Sequence, residues 1–273
     1  GTGPIGIGIL HFAQIAGART IAVDLNDERL AYCKNVVGVD HCVNAIEEPI
    51  NALKDITEGN LPDAVFDATR TFNGRPFRMK EHVDRLYNSL RYLRIDPGMS
   101  KEEMERWSME VVNHNYPLLP PNQDMWVMQR ISRGVETIEP GEEQRPTVLI
   151  ESHPIPFAKR AALYRDGLHI ITPSVPRVPP RFMSPRAKTH NYLNLILGDL
   201  EAQGTDPDAW AVLLDEDGNL TEGKGSNIFL VKDGVVATPK GQFVLEGITR
   251  GVVLGLAHGL GLPAEERDLD QFE

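Results

Sequence analysis

Hydrophobic positions near the start of the chain recur at helical spacing and then give way to a continuous apolar run. The apolar residues that share one predicted helix face are Ile5, Ile9, Phe12 and Ile15. Gly17 ends this pattern, and the run 20–23 predicts a buried strand that closes at Asp24. The chain therefore opens with a predicted helix followed by a strand.

A different pattern begins near residue 63, where FDATRTFNGRPF alternates like two strands on either side of Asn73-Gly74. This dipeptide is typical of a type I′ hairpin. A helix is predicted next, because its apolar residues fall on one face: Met79, Val83, Leu86, Leu90 and Leu93. A charged amphipathic helix is then expected over 99–115, and strands over 124–134 and 145–157, on either side of the acidic loop 135–144.

The last third of the chain predicts a helix, a meander and a second helix. The first helix follows Lys188, with an apolar face that includes Tyr192, Leu193, Ile196 and Leu200. The dipeptides Asp217-Gly218 and Asp233-Gly234 lie between apolar runs and predict turns of a strand meander. In 245–263 a glycine precedes a helical pattern, and the free N–H groups of such a helix start suit a phosphate.

Composition narrows the class of protein. The 273 residues are 41% hydrophobic and 25% charged, without the run of about 18 apolar residues that a membrane span needs, which predicts a soluble protein and favours two domains over one. A net charge of −11 argues against a nucleic-acid partner. Only Cys33 and Cys42 are present, and His11 and His41 have no partner at ligand spacing, so a reducing, cytoplasmic location and no metal are predicted. The chain begins at Gly1 without a signal-like segment, as a fragment does.

The opening GTGPIG belongs to a turn, helix, strand and acid in the order of a dinucleotide-binding unit. Gly1, Gly3 and Gly6 permit close approach of a pyrophosphate, and Asp24 is placed to bond a ribose hydroxyl. With VDLNDERLAYCKNVVGVDHCVNA, this stretch resembles the coenzyme domain of zinc-type medium-chain alcohol dehydrogenases, from Gly1 to about Thr69. The resemblance implies a partial Rossmann-like βαβ segment. NAD is a candidate ligand of this segment, although hydride transfer is not expected, because the printed sequence does not contain that family's first strand and catalytic domain.

Three motifs in order carry a second resemblance: Lys188, then EGKGSN at 222–227, then GITR at 247–250. Together with VFDAT and HVDRL they resemble class IV aminotransferases, which use pyridoxal phosphate, from about Asp63 to Glu273. The two resemblances meet between about residues 63 and 69. In the second family the proline-rich stretch 171–188 corresponds to an ordered crossover near the active site.

The second resemblance implies the following roles. Lys188 forms an aldimine with pyridoxal 5′-phosphate and carries the proton, which requires a lowered pKa. Glu222 faces the pyridine nitrogen. Phosphate is bound by Arg85 and by the turn at Ile248 and Thr249. The remaining residues implied near the cofactor or substrate are Tyr192, Ser226, Asn227 and Phe66.

The predicted fold class is α/β and α+β: a partial Rossmann-like segment (1–66), followed by the small α/β domain (67–165) and the large cofactor domain (166–273) of a fold-type IV aminotransferase that lacks parts of both ends. The predicted function is transamination between an amino acid, with branched-chain favoured, and a 2-oxo acid, in a homodimer. The alternatives are a D-amino-acid or amine transaminase, an aminodeoxychorismate lyase, an NAD-binding dehydrogenase fragment, or a joined chain without activity.

Overall fold

A computed structural model of the chain describes residues 7, 10, 11, 14, 15, 20–24, 26–44, 64–134 and 146–273. The glycines of the opening turn, Gly1, Gly3 and Gly6, and the acidic loop 135–144 lie outside the described residues. The chain divides into two compact units, 1–62 and 63–273. Among the described residues, no helix is both long and apolar enough to cross a membrane.

The first unit contains two parallel strands joined by a short helix. Strand β1 (Ile21–Asp24) pairs with β2 (His41–Asn44), and α1 (Asp27–Tyr32) lies between them and continues as a π-helical turn (Cys33–Val37). The predicted strand that closes at Asp24 is therefore confirmed, and the Asp24 carboxylate accepts a hydrogen bond from the backbone N–H of Asn26. Among the described residues, the small core of the first unit contains Ala22, Leu30, Cys33, Val37 and Val39.

An antiparallel sheet opens the second unit, in the order β4-β3-β5-β6. Its strands are β3 (Ala64–Phe72), β4 (Arg75–Pro76), β5 (Met125–Ser132) and β6 (Thr147–Pro154). Positive φ angles at Asn73 (51°) and Gly74 (74°) confirm the predicted type I′ hairpin. Strand β3 crosses the predicted boundary between residues 66 and 67, and the domain boundaries at 66/67 and 165/166 stay predictions.

Two helices cover one face of this sheet with their apolar sides. They are α2 (Met79–Leu93) and α3 (Lys101–Asn115), the latter begun by a capping box between Ser100 and Glu103. The predicted apolar face of α2 is confirmed: Met79, Val83, Leu86 and Leu90 are buried, and Leu93 packs against them. Because Val65, Val127 and Ile131 join the same core, the alternate residues of β3 and β5 point away from the helices.

The rest of the second unit forms two smaller sheets and three helices. Sheet β10-β9-β8-β7 consists of β7 (Ile170–Ile171), β8 (Trp210–Leu214), β9 (Leu220–Gly223) and β10 (Ser226–Asn227). Sheet β11-β12-β13 consists of β11 (Leu230–Lys232), β12 (Val235–Pro239) and β13 (Ala264–Arg267). The helices are α4 (Phe157–Asp166), α5 (Leu193–Thr205) and α6 (Ile248–Gly259). The meander and both helices predicted from the sequence are confirmed.

The predicted apolar face of α5 is wrong for three of its four residues, whereas the fourth, Tyr192, packs against the core that contains Leu195. Leu193 and Leu200 are 61% and 60% exposed, and Ile196 is also exposed. Helix α5 instead packs on β8 through Leu195, Ala202 and Gly198, where an added Cβ would lie 2.8 Å from Leu213 Cδ1. The reason is close approach: the glycine and alanine let the helix backbone approach the sheet, whereas the larger leucines fit only outside this contact.

Candidate active site

The backbone around Lys188 is held against the edge of β3. Its carbonyl accepts from the N–H of Phe66 at 3.1 Å, and the N–H of His190 donates to the carbonyl of Ala64 at 2.9 Å. The Lys188 N–H donates to Ser89 Oγ on α2 at 3.0 Å. Lys188 therefore lies in a short extended segment that is fixed by both the sheet and α2.

The amine of Lys188 lies in surroundings that disfavour its charge. The pKa of Lys188 is lowered to about 8, mainly because the amine is buried. The negative charges of Asp67 and Glu222 act against this lowering, and the positive charge of Arg85 acts with it. Its Nζ is 4.3 Å from the centroid of the Phe66 ring. An ammonium that deprotonates close to neutral pH provides the unprotonated amine that a nucleophile or proton carrier needs.

Glu222 is a buried carboxylate on β9, 5% exposed. Its Oε1 accepts from Nε and Nη2 of Arg177 at 3.2 and 2.9 Å, and its Oε2 accepts from the N–H of Leu245 at 2.9 Å. Burial raises the pKa of Glu222, while the Arg177 guanidinium and the Leu245 N–H act in the opposite direction. The carboxylate is thus fixed in orientation on both of its oxygens.

Arg177 was missed by the sequence analysis, because it lies in the proline-rich crossover where most arginines are exposed. It is 6% exposed, and besides Glu222 it contacts Asn194 Oδ1 on α5 at 3.2 Å. The backbone N–H of Arg177 donates to the carbonyl of Leu214 at 2.7 Å, which holds the crossover against β8. The predicted ordered crossover is consistent with this bond, and a buried arginine requires such an acidic partner.

The loop 245–247 joins several predicted residues at the start of α6. Gly247 caps the helix, so Ile248 and Thr249 are its first two residues, whose N–H groups have no acceptor within the helix. Asn227 Nδ2 donates to the carbonyl of Leu245 at 2.9 Å, and Arg85 Nη1 donates to that of Glu246 at 3.3 Å. Three of the predicted sites thus meet at one helix N-terminus, where backbone dipoles favour an anion.

Arg85 extends from α2 and is paired with an acid that the sequence analysis also missed. Its Nε and Nη2 donate to the two carboxylate oxygens of Asp67 at 2.8 and 2.7 Å. Asp67 lies on β3 among the core residues, and the alternation of Val65, Asp67 and Thr69 was the signal that could have identified it as buried.

Tyr192 and Ser226 are each next to other residues of the predicted site. Tyr192 precedes α5 and its ring centroid is 5.8 Å from that of Phe66, while burial raises the pKa of its hydroxyl. Ser226 lies on β10, paired with Gly223, next to Asn227, which pairs with Glu222. The structure therefore brings together Lys188, Arg85, Tyr192, Glu222, Ser226, Asn227, Ile248, Thr249 and Phe66, and their roles stay predictions.

A further polar group that sequence reasoning missed touches Phe66. The ring of His190 stacks on that of Phe66 at 4.4 Å, and its Nε2 accepts from Arg130 Nη1 at 3.0 Å. Arg130 in turn is paired with Glu151. Burial lowers the pKa of His190, and the charges of Arg130 and Lys188 act in the same direction while that of Glu151 opposes them, so that the pKa falls to about 4. His190 is therefore neutral near physiological pH.

The structure assigns no position in this cluster to the predicted dinucleotide residues that it describes. Asp24 belongs to the first compact unit, and Gly1, Gly3 and Gly6 lie outside the described residues. Within the described part of the chain, no three His, Cys, Asp or Glu side chains are grouped as metal ligands would be.

Gly247 provides a stability test of the loop geometry. A Cβ there would clash with Asn227 Oδ1, whereas one at Gly251 on the same helix would meet nothing within 4 Å. Gly247→Ala is expected to lower the free energy of unfolding by about 1–3 kcal/mol, because Asn227 must leave its place and its bond to Leu245. Gly251→Ala is the control and is expected to raise it by about 1 kcal/mol through helix propensity. Thermal unfolding of both variants measures this, and equal values for both variants would contradict the described geometry.

These groups suit pyridoxal 5′-phosphate. The cluster contains a primary amine of lowered pKa, a buried carboxylate that can accept from a protonated pyridine nitrogen, and an arginine beside a helix N-terminus that can bind phosphate. Gly247 has no Cβ, and the Asn227 side chain occupies the place that one would take beside the start of α6. In their chemistry, the amine, the carboxylate and the phosphate-binding groups each match one part of this cofactor.

Comparison with known proteins gives two family matches. Residues 64–273 match the model for amino-transferase class IV, and residues 4–74 match that for zinc-binding dehydrogenase. A protein of Methanocaldococcus jannaschii, provisionally named a branched-chain-amino-acid aminotransferase, is 38% identical over 210 residues, or 76% of this chain and 69% of the relative.

Solved structures agree with the first match. The branched-chain amino acid aminotransferase of Escherichia coli superimposes with a TM-score of 0.68 at 28% identity, covering 76% of this chain and 69% of the other. That of Thermobaculum terrenum, in its form with bound pyridoxal phosphate, gives 0.66 at 28% identity, covering 77% and 69%. With a fold-type IV architecture and a family match over residues 64–273, the chain belongs to the class IV aminotransferases, enzymes that use pyridoxal phosphate.

Proposed function

We propose that the protein transfers the amino group of a branched-chain amino acid to a 2-oxo acid. The observation that carries this proposal is the Lys188 amine, whose pKa is lowered. It lies in one cluster with the buried Glu222 carboxylate and with Arg85, which bonds to the loop before α6. The substrate class is supported by the names of the relatives in Methanocaldococcus jannaschii and Escherichia coli.

Each end of the cluster has its own task in this proposal. The N-terminus of α6, with Ile248 and Thr249, and the guanidinium of Arg85 hold the phosphate. Glu222, fixed by Arg177, accepts a hydrogen bond from the pyridine nitrogen and keeps it protonated. Bound there, pyridoxal phosphate supplies the carbonyl carbon that takes up the amino group and the ring that delocalises an electron pair.

Lys188 is the catalytic residue of this proposal. Its neutral Nζ takes the proton from the substrate α-carbon and returns a proton when the second oxo acid is converted. Phe66 lies under that amine and His190 lies against Phe66, so one side of the amine is covered by rings rather than by water. The low pKa of Lys188 and its covered position both favour proton transfer by this residue.

Lys188 is expected to react with an amine-directed reagent at lower pH than an ordinary lysine does. Since the folded-state pKa lies at about 8, below the 10.5 of a free side chain, the reactive neutral amine becomes the main form above about pH 8. Reductive methylation of the cofactor-free protein at a series of pH values, followed by peptide mass spectrometry, measures this midpoint. A midpoint for Lys188 near 10.5 would contradict the description of its surroundings.

The function is tested by following ¹⁵N from a labelled amino donor into a 2-oxo acid acceptor in the presence of pyridoxal 5′-phosphate. Transfer from L-leucine, L-isoleucine and L-valine, and weaker transfer from D-alanine, is expected. Faster transfer from D-alanine would replace the proposed substrate class with the D-amino-acid alternative. Absence of all transfer, together with NADH binding that is lost in Asp24→Asn, would favour the dehydrogenase-fragment alternative.

We also infer a cytoplasmic homodimer, as the class IV resemblance and the two cysteines suggest. Light scattering of the purified protein after size exclusion tests the dimer. A monomer mass for protein that transfers amino groups would exclude a dimer as a requirement for activity.

A further inference from the structure

We propose that Asp67 is a positioning residue, which fixes the guanidinium of Arg85 so that its spare N–H groups face the cofactor phosphate at the start of α6. The inference rests on the proposed function, because it concerns the phosphate end of the same site. It assigns a task to a fully buried acid of the antiparallel sheet, which the sequence analysis left without any role.

Asp67 accepts hydrogen bonds on both carboxylate oxygens from two residues of α2. Oδ2 accepts from Arg85 Nε at 2.8 Å, and Oδ1 accepts from Arg85 Nη2 at 2.7 Å. His82 Nδ1 lies 2.7 Å from Oδ1, and because a carboxylate only accepts, this ring nitrogen carries the proton. Two parallel bonds to a planar guanidinium fix its orientation as well as its position.

The cost of burying this carboxylate requires an explanation. Asp67 has no exposed surface, on the strand face where Val65 and Thr69 also lie. Burial raises the pKa of Asp67, but the hydrogen bonds of His82 and then Arg85 outweigh it and keep the pKa below its usual value. A buried ion pair is weak evidence for stability, since an apolar pair of similar volume often serves as well. A task at the site accounts for its presence.

The contacts of Arg85 leave it able to bind a further anion. Nε and Nη2 are used by Asp67, and Nη1 donates to the carbonyl of Glu246 at 3.3 Å. A guanidinium has more N–H groups than these three bonds use, and the spare ones belong to the two Nη atoms. Because Glu246 directly precedes Gly247, the cap of α6, those Nη atoms lie at the proposed phosphate site.

The test compares the dissociation constants of pyridoxal 5′-phosphate and pyridoxal, which lacks the phosphate, for wild type and Asp67→Asn. We expect the phosphorylated ligand to bind about tenfold more weakly to the variant, since the loss of a charge-assisted pair costs roughly that factor. Pyridoxal is expected to change less than about twofold, because its binding does not use Arg85. In an Arg85→Gln background the Asp67→Asn substitution is expected to have no further effect on either ligand, as for residues that act through one another.

Asp124→Asn is the matched control. The Asp124 carboxylate accepts hydrogen bonds from Thr71 and from the hairpin backbone of the same sheet, and these partners are not predicted site residues. It is expected to leave the preference for the phosphorylated ligand unchanged. Equal weakening of both ligands by Asp67→Asn, or full additivity with Arg85→Gln, would overturn the inference and leave Asp67 a structural residue.

A second variant keeps the test decisive if Asp67→Asn does not fold. Asp67→Glu retains the charge but moves the acceptor oxygens by one methylene, and the same selective loss for the phosphorylated ligand is expected. An unchanged preference in Asp67→Glu would overturn the inference. If wild type itself binds neither ligand, the proposed function fails, and this result is distinct from any result on the variants.

Discussion

Lys188→Arg is expected to reduce the rate of amino transfer by about a thousandfold, because proton transfer by a positioned group and covalent catalysis are both lost. Arginine keeps a long cationic side chain over Phe66, but its guanidinium stays protonated and cannot act as the neutral amine. The backbone bonds of residue 188 to Phe66 and Ser89 do not depend on the side chain, so the fold should persist. Steady-state transfer of ¹⁵N measures the effect.

Lys232→Arg is the control for this substitution. Lys232 ends β11, is exposed, and bonds only weakly to the carbonyl of Glu273 at 3.4 Å. Its replacement is expected to leave the transfer rate within about twofold of wild type, as for most surface substitutions. A Lys188→Arg enzyme with more than a tenth of wild-type activity would exclude Lys188 as the catalytic amine.

Glu222→Gln is expected to reduce amino transfer by about a hundredfold, the usual cost of removing one group that stabilises developing charge. The amide removes the negative charge opposite the proposed pyridine nitrogen. In the wild type both carboxylate oxygens accept hydrogen bonds, from Arg177 and from the N–H of Leu245. The NH₂ group of glutamine would therefore face one of these donors. The rate is compared at saturating cofactor, so that weaker binding is separated from slower chemistry.

Glu216→Gln serves as the matched control for the charge. Glu216 is an exposed acid of the β8–β9 turn, paired with Arg181 on the surface, and its replacement is expected to leave the rate unchanged. Thermal unfolding of both variants shows whether Arg177, left buried without its acid, has destabilised the fold. Wild-type rates in a folded Glu222→Gln enzyme would contradict the role given to this carboxylate.

Local chemistry made most elements predictable. Asn73-Gly74 permits two successive positive φ angles, so the hairpin could be predicted from two residues. The apolar spacing in α2 and the glycine before α6 likewise predicted a helix face and a helix start that the structure confirms. Each of these signals depends on residues within a few positions of one another, which is the range over which sequence patterns are informative.

The residues that the sequence did not reveal are buried by contacts between distant parts of the chain. Arg177 and Glu222 are 45 positions apart, and Asp67 and Arg85 are 18 apart, on a strand and a helix. No periodicity links such pairs, and the base rate for arginine and aspartate favours the surface. The error in α5 has a related cause, because Gly198 and Ala202 appear as weak hydrophobic positions although they permit the closest packing.

The chain joins sequence typical of two families within one strand. The two family matches overlap at residues 64–74, close to the 63–69 region in which the sequence predicted that the resemblances meet. Strand β3 begins at Ala64 and belongs wholly to the second compact unit, so every residue of the proposed site lies in that unit. The predictions made for the site therefore concern residues of the second unit.

Pyridoxal 5′-phosphate is expected to become bound to the protein at Lys188. The most direct measurement is borohydride reduction of the protein incubated with this cofactor, followed by peptide mass mapping. We expect a visible absorbance band that disappears on reduction, and one phosphopyridoxyl group on the peptide that contains Lys188. No band, or a label spread over exposed lysines such as Lys232 and Lys240, would contradict it.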